Sequence, residues 1–137
     1  MSFGNVFPAA GISASALSAE RMRMEVTANN IANAFSTRSR DGGPFRRQDV
    51  VFSEVVQGGM RGGVEVADVV DDPSPFQVVS MPGHPDADAQ GNVRLPNVHL
   101  PIEMVNLVTA SRAYEANVRA AQAFVQMSQQ ALGILRG

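Results

Sequence analysis

The stretch Pro101–Gly137, PIEMVNLVTASRAYEANVRAAQAFVQMSQQALGILRG, decides the fold. It predicts one unbroken helix of about 35 residues, roughly 50 Å long at about 1.5 Å per residue. Pro101 suits a first helical position, Glu103 sits at the positive end of the helix dipole and Arg136 at the negative end. No Gly or Pro interrupts the run before Gly133. Its apolar positions fall on two neighbouring stripes. One contains Met104, Leu107, Tyr114, Val118, Val125, Leu132 and Leu135; the other contains Ala110, Asn117, Phe124, Met127 and Ile134. One stripe serves a single partner helix, whereas two side by side need more than one. A chain of 137 residues has few helices of its own to cover such a face. The stretch therefore predicts a protein that assembles.

Working back to the other end, a second helix is predicted from about Ala9 to Ala34, after a loosely ordered tail over 1–8. Its stripe runs Ala14, Leu17, Arg21, Met24, Ala28, Ile31, Phe35. Small residues (Ala14, Ser15, Ala16, Ser18, Ala19) would let another helix approach closely. Asn29, Asn30 and Asn33 stand out, because Asn is a poor helix former. Their amides are positioned to bond across a helix–helix contact and fix register, with Asn117 as a candidate partner.

Between the helices the character changes. Eight of the twelve Gly and six of the eight Pro fall between residues 42 and 97. Ser36–Pro44 reads as a loop, and Phe45–Val56 as a strand with a buried Val50-Val51-Phe52 centre. Gly58–Gly63 reads as a turn and Val64–Val70 as the returning strand. Short strands follow at Phe76–Ser80 and Gly91–Val98, around a loop rich in Pro and Asp. The fold class is α+β, with terminal helices pairing as a coiled-coil domain around a small β-rich insert. The expected division is 1–36, 37–100 and 101–137.

Composition narrows the function. The chain is 45% hydrophobic, enough for one domain with an ordinary core. A net charge of −2 gives no case for nucleic acid or a membrane surface. All eleven cations are Arg, and there is no Cys to form a disulfide, thiol nucleophile or thiolate zinc site. No basic and apolar secretory signal opens the sequence, and no run approaches the ~18 apolar residues of a membrane span.

His84, Asp86, Asp88 and His99 are the residue types that ligate a divalent metal. Asp86–Gly91 also mimics the opening of a calcium loop. Its twelfth position is Asn97, however, and no helix precedes it. Alternating Asp in a Gly/Pro loop is better read as turn chemistry. No Gly-x-Ser-x-Gly elbow occurs, Asp71-Asp72 adjoin Pro73 in an apparent turn, and the Gly58–Gly63 stretch lacks the Lys and helix of a phosphate cradle. No enzyme, cofactor or metal site is expected. Arg46-Arg47 reads as solvated or paired with Asp49 or Glu54, and Arg112, Glu115 and Arg119 as an exposed ion-pair ladder.

Ala28-Asn29-Asn30-Ile31-Ala32-Asn33-Ala34 resembles the N-terminal signature of the axial proteins of the bacterial flagellum (rod, hook and hook-associated proteins). Ala110-Ser111-Arg112-Ala113-Tyr114-Glu115-Ala116-Asn117 resembles its C-terminal counterpart. Within that family the middle of the chain is similar to proximal rod proteins of the FlgC type. The segments that carry this are Gly42–Arg47, Val50–Phe52, Gly63–Val66, Pro82–Ala89, Pro96–Val98 and Glu103–Val105. Phe45 stands where that type usually has Tyr, Asn92 where an aromatic often follows the loop Gly, and Gln48 where a basic residue is common. These departures fall in the insert and leave the helical signatures intact.

The resemblance implies a structural subunit, without catalytic residues or cofactor, of the hollow helical rod that carries torque across the periplasm and forms the export channel wall. It implies copies of itself and other rod proteins as partners, with the inner-membrane ring and export apparatus at the rod base, and no nucleic acid or lipid insertion. Export through the flagellar type III apparatus, by an uncleaved signal, agrees with the missing secretory signal. The residues expected at the assembly interface are Leu17, Met24, Asn29, Asn30, Ile31, Asn33, Leu107, Tyr114, Asn117, Val118, Phe124, Val125 and Leu132. The rivals are another axial subunit, a small metal-binding periplasmic protein built on the His/Asp loop, and a helical secretion adaptor, which would need no β insert.

Overall fold

The computed structural model describes residues 6–57 and 59–137. Helix α1 spans Val6–Ala32, strand β1 Gln48–Gln57, β2 Met60–Asp71, β3 Gln77–Ser80, β4 Asn92–Leu95 and helix α2 Leu100–Arg136. The α+β class holds, with two helices flanking two small antiparallel sheets, β1-β2 and β3-β4. Residues 6–8, expected in a tail, belong to α1, and residues 1–5 lie outside the described residues.

The 37 residues of α2 make a rod of about 55 Å. It begins with Pro at the first turn and ends at Gly137, whose N–H donates to the Gly133 carbonyl at 3.2 Å. The 27 residues of α1, about 40 Å long, run antiparallel to it. Asn30 near the end of α1 meets Glu103 in the first turn of α2, and Leu17 lines one groove with Val118 and Val125.

The β1-β2 hairpin folds back along the opposite side of α1, so α1 lies between it and α2. A two-stranded ribbon is marginal alone and needs such a surface. Strand β2 begins at Met60, so Met60–Gly63 is strand where a turn was expected. The reason is contact. A Cβ on Gly62 would stand 2.8 Å from Ile12 Cδ1, and one on Gly63, at φ +101°, 3.0 Å from Ser15 Oγ. Glycine in a strand here marks close approach by a helix. The Val64 N–H donates to Ser15 Oγ at 3.1 Å and ties down the approach.

The hairpin centre is not buried as expected. Val51 is 43% and Phe52 36% exposed, because only one face of the ribbon meets α1 and a bulge falls between them. The core is correspondingly thinner than composition predicts. Among the described residues its buried hydrophobics are Ala19, Ala34, Val93, Val98 and Ala110. Much of the remaining apolar surface faces outward.

Candidate functional site

Two surfaces are candidates: a polar joint where the insert meets the helices, and the open faces of the helices themselves. At the joint, Asn30 and Asn97, both buried, grip the backbone at the start of β1. The Asn30 amide donates to the Gln48 carbonyl at 2.8 Å, and its oxygen accepts the Gln48 N–H at 3.0 Å. The Asn97 oxygen accepts the Arg47 N–H at 2.7 Å, and its amide donates to the carbonyls of Asp72 and Ser74 at 3.1 and 3.0 Å. An amide side chain offers one donor face and one acceptor face, so each Asn substitutes for a strand neighbour. The base of the hairpin is thereby fixed to α1 on one side and to the β4–α2 segment on the other.

Glu103 completes the joint. It is 1% exposed and accepts hydrogen bonds from Arg47 Nε and, at 3.4 Å, from the Asn30 amide. Arg47 also reaches Asp49 and Asp72, each at 3.3 Å. Burial opposes the charge of Arg47, but Glu103 and then Asp49 outweigh it and hold the guanidinium pKa above its ordinary value. Asp72 is held below its usual value chiefly by hydrogen bonds from Ser74, with Arg47 adding to them. The guanidiniums of Arg46 and Arg94 lie over the Phe76 ring, 4.2 and 5.2 Å from its centroid.

The reading of Arg46-Arg47 is thus corrected. Arg47 does pair with Asp49, but its closest partner is Glu103 on α2, and neither arginine pairs with Glu54 among the described residues. Asp72, read as part of an exposed turn, is half-buried in this network. Glu103 was missed as a site residue because a carboxylate in a first helical turn is satisfied by the dipole alone. The usable signal was its place between Ile102 and Met104, in an apolar run two residues after Pro101.

On the helices, the seam of α1 lies one residue back from the expected stripe. Ser13, Thr27, Asn30 and Ala34 are buried, whereas Ala14, Arg21, Ala28 and Phe35 are exposed. The small and polar residues win because α1 is approached from two sides and only short side chains fit both. Of the named interface residues, Leu17, Met24, Ile31, Asn33, Leu107, Tyr114, Asn117, Val118 and Phe124 are half-buried. Asn29, Val125 and Leu132 are exposed. Leu17, Val118, Ala121 and Val125, with Gln122 and Gln126, line an open groove along the helix pair.

The asparagines divide. Asn30 alone bonds to other elements. Asn33, in the turn that follows α1, donates to the Asn29 carbonyl at 2.8 Å and to its side-chain oxygen at 3.1 Å, one turn back. Asn117, the expected cross-helix partner, donates instead to the Ala113 carbonyl one turn back, at 2.8 Å. The ladder over Arg112, Glu115 and Arg119 forms no ion pair among the described residues. The pairs on the helices are Arg21–Glu25 at 3.1 Å and Arg23–Glu20 at 3.5 Å.

The His/Asp loop performs the expected turn chemistry at Asp88, whereas Asp86 instead ties the loop to the distant Thr37–Arg38 segment. Asp86 accepts from Thr37 Oγ1 at 2.6 Å and from Arg38, and these bonds hold its pKa below the usual value. Asp88 caps the N–H groups of Gln90 and Asn92, both at 2.9 Å. His84 Nδ1 accepts the Asp86 N–H at 3.0 Å, while His99 is engaged elsewhere with Gln77. Among the described residues no cluster has the makings of a metal site, and no helix is long and apolar enough to cross a membrane.

Paired terminal helices with an outward apolar face, joined through an Asn/Glu/Arg cluster to a β insert, form the frame of a subunit that assembles with neighbours. Residues 12–38 match the model of the flagella basal body rod protein family, and residues 89–134 that of the flagellar basal body rod FlgEFG protein C-terminal region. The chain is 51% identical to the flagellar basal-body rod protein FlgC of Yersinia enterocolitica, over 86% of this chain and 87% of that protein. It is 38% identical to FlgC of Borreliella burgdorferi over 96% and 99%, and 40% identical to FlgC of Bacillus subtilis over 93% and 97%. The chain belongs to the FlgC family, and it is a structural subunit of the flagellar basal-body rod.

Proposed function

We propose that the subunit builds the proximal rod through the open faces of α1 and α2, and that it carries no enzymatic activity. The observation that bears this reading is the end of α2. From Val125 onward the helix exposes Val125, Met127, Leu132, Ile134 and Leu135, and no charged residue occurs between Arg119 and Arg136. A helix left in water carries charge on its solvent face; one apolar or neutral all round is made to be surrounded. Leu17, Met24, Ile31, Leu107, Tyr114, Val118, Phe124, Val125 and Leu132 then contact neighbouring subunits, with Asn29, Asn33 and Asn117 as polar contacts among them. Asn30 contributes by fixing the joint behind the interface.

The partners are copies of this chain and other rod proteins, with the inner-membrane ring and export apparatus at the rod base. The rod crosses the periplasm, and the subunit reaches it through the flagellar type III apparatus. In this reading residues 1–36 and 101–137 form the channel wall and residues 37–100 pack outside it. Contacts between unlike surfaces of successive subunits grow without closing, as a rod requires. Torque then passes from the helices to the insert through the Asn30–Arg47–Glu103 joint.

The test uses Leu132→Asp and Ile134→Asp, at exposed positions on the unpartnered end of α2. Circular dichroism and thermal unfolding of the purified subunit are expected to stay within about 0.5 kcal/mol of the parent. Swimming and recovery of the chain in basal bodies are expected to be lost. Normal swimming by both variants would contradict the reading.

A further inference from the structure

The charges of the insert and of α2 are segregated in a way the helix stripes do not use. Between Gln48 and Asp71 the hairpin carries Asp49, Glu54, Glu65, Asp68 and Asp71 against a single Arg61. Its outer face is set by the register, which pairs Asp49 with Val70, Val51 with Asp68 and Ser53 with Glu65. These side chains point away from α1 and all but Ser53 are exposed, giving an apolar pair, Val51 and Val70, set among three carboxylates.

The outer side of α2 has the opposite character. Ile102, Val105 and Val108 are each more than half exposed, and further along the same side stand Arg112 and Arg119. Neither arginine has an ion-pair partner among the described residues, and Glu115 beside them is unpaired as well. This side faces away from α1, so it is separate from the stripes assigned above.

We propose that the outer face of the hairpin of one copy docks on the outer side of α2 of a second copy, with Val51 and Val70 on Val105 and Val108, and with Glu65 and Asp68 facing Arg112 and Arg119. This rests on the rod reading and names a second pair of mating surfaces for it. The choice of a second copy follows from charge complementarity together with topology. Among the described residues of one chain the strands of the hairpin pack on α1 and make no contact with α2, so the two patches meet between molecules. The patches differ, so the contact is heterologous and repeats along the assembly. Opposite charge fixes register and speeds encounter, while the apolar pair supplies the dry centre.

The chain has no cysteine, which makes crosslinking direct. Ser53→Cys and Thr109→Cys are small changes on the two patches that leave every charge in place. Basal bodies carrying both, treated with a short bismaleimide, are expected to yield covalent dimers and longer ladders of this chain, and neither single variant is expected to do so. If the chain is present in the basal bodies but gives no adduct, or only an adduct with a different rod protein, the proposal is overturned. Absence of the unmodified chain from wild-type basal bodies would instead overturn the rod reading itself. In parallel, Arg112→Glu/Arg119→Glu is expected to abolish the swimming halo, and Glu65→Arg/Asp68→Arg added to it is expected to restore it. Undiminished swimming, or loss without rescue in a folded protein, overturns the proposal.

Discussion

Glu103 carries more of the structure than its place in the sequence indicates. It is a buried carboxylate whose charge is answered by one arginine and one amide from different parts of the chain. Removing one member of a buried pair strands the other, so Glu103→Ala is expected to cost about 3 kcal/mol in urea unfolding. Exchanging both members, as Arg47→Met with Glu103→Leu, is expected to recover most of that loss, since no buried charge is then left unpaired. Asp72 supplies a pH signature. Its folded pKa lies below the ordinary carboxylate value, mainly through Ser74, so its contribution is complete at neutral pH and fades as acid takes the pH down through that depressed value. Asp72→Asn is therefore expected to flatten the acid limb of the stability profile while leaving its slope near neutrality unchanged. An unchanged acid limb would contradict this. At this scale the sequence was only partly readable. Asn30 could be singled out because a helix has little use for Asn, but its partner could not, since Gln48 lies beyond a loop whose path no local pattern fixes. Asp88 was readable, because Asx turns are made with neighbours in sequence, whereas Asp86 was not, since its partners Thr37 and Arg38 come from a distant loop.

Among the elements, α2 was legible almost to the residue, from Pro101 at its start to Gly137 at its end. Helix α1 was legible in existence but not in face. Its periodicity admits two neighbouring stripes, and the choice between them was made by the hairpin and α2 pressing from opposite sides, a tertiary fact. The Gly-rich stretch before Val64 was read as a turn because glycine breaks pattern wherever it occurs; its role as a contact surface depends on what lies opposite. That role is testable. Gly63→Val forces a side chain into a left-handed conformation at φ +101° and against Ser15, and is expected to cost about 1–3 kcal/mol. Hydrogen exchange should report the loss locally. Protection of the Val64 amide should fall while that of α2 between Leu107 and Val118 is kept. Equal loss in both elements would mean that the hairpin and the helices unfold as one unit.

As a whole molecule the chain keeps too little inside for its composition. Its five buried hydrophobic residues among those described contrast with a sequence that is 45% hydrophobic. The difference is displayed along α2, on the hairpin and at Phe35, which is 72% exposed. Monomeric proteins rarely leave so much apolar surface in water. The need for neighbours was legible from the two stripes of α2, whereas the thinness of the core was not, because composition cannot say which apolar residues a chain keeps for itself. The joint of Asn30, Arg47, Asn97 and Glu103 fits this division of labour, since it holds the insert at a fixed angle to helices whose remaining faces are committed elsewhere. The most direct measurement is cryo-electron microscopy of basal bodies from the source cell, with this chain traced in the rod. The expected density has α1 and α2 paired antiparallel along the channel, Val125–Leu135 enclosed by neighbouring subunits, and the hairpin outside. A complete rod from which this chain is missing, or one in which the end of α2 stands free in solvent, would contradict it.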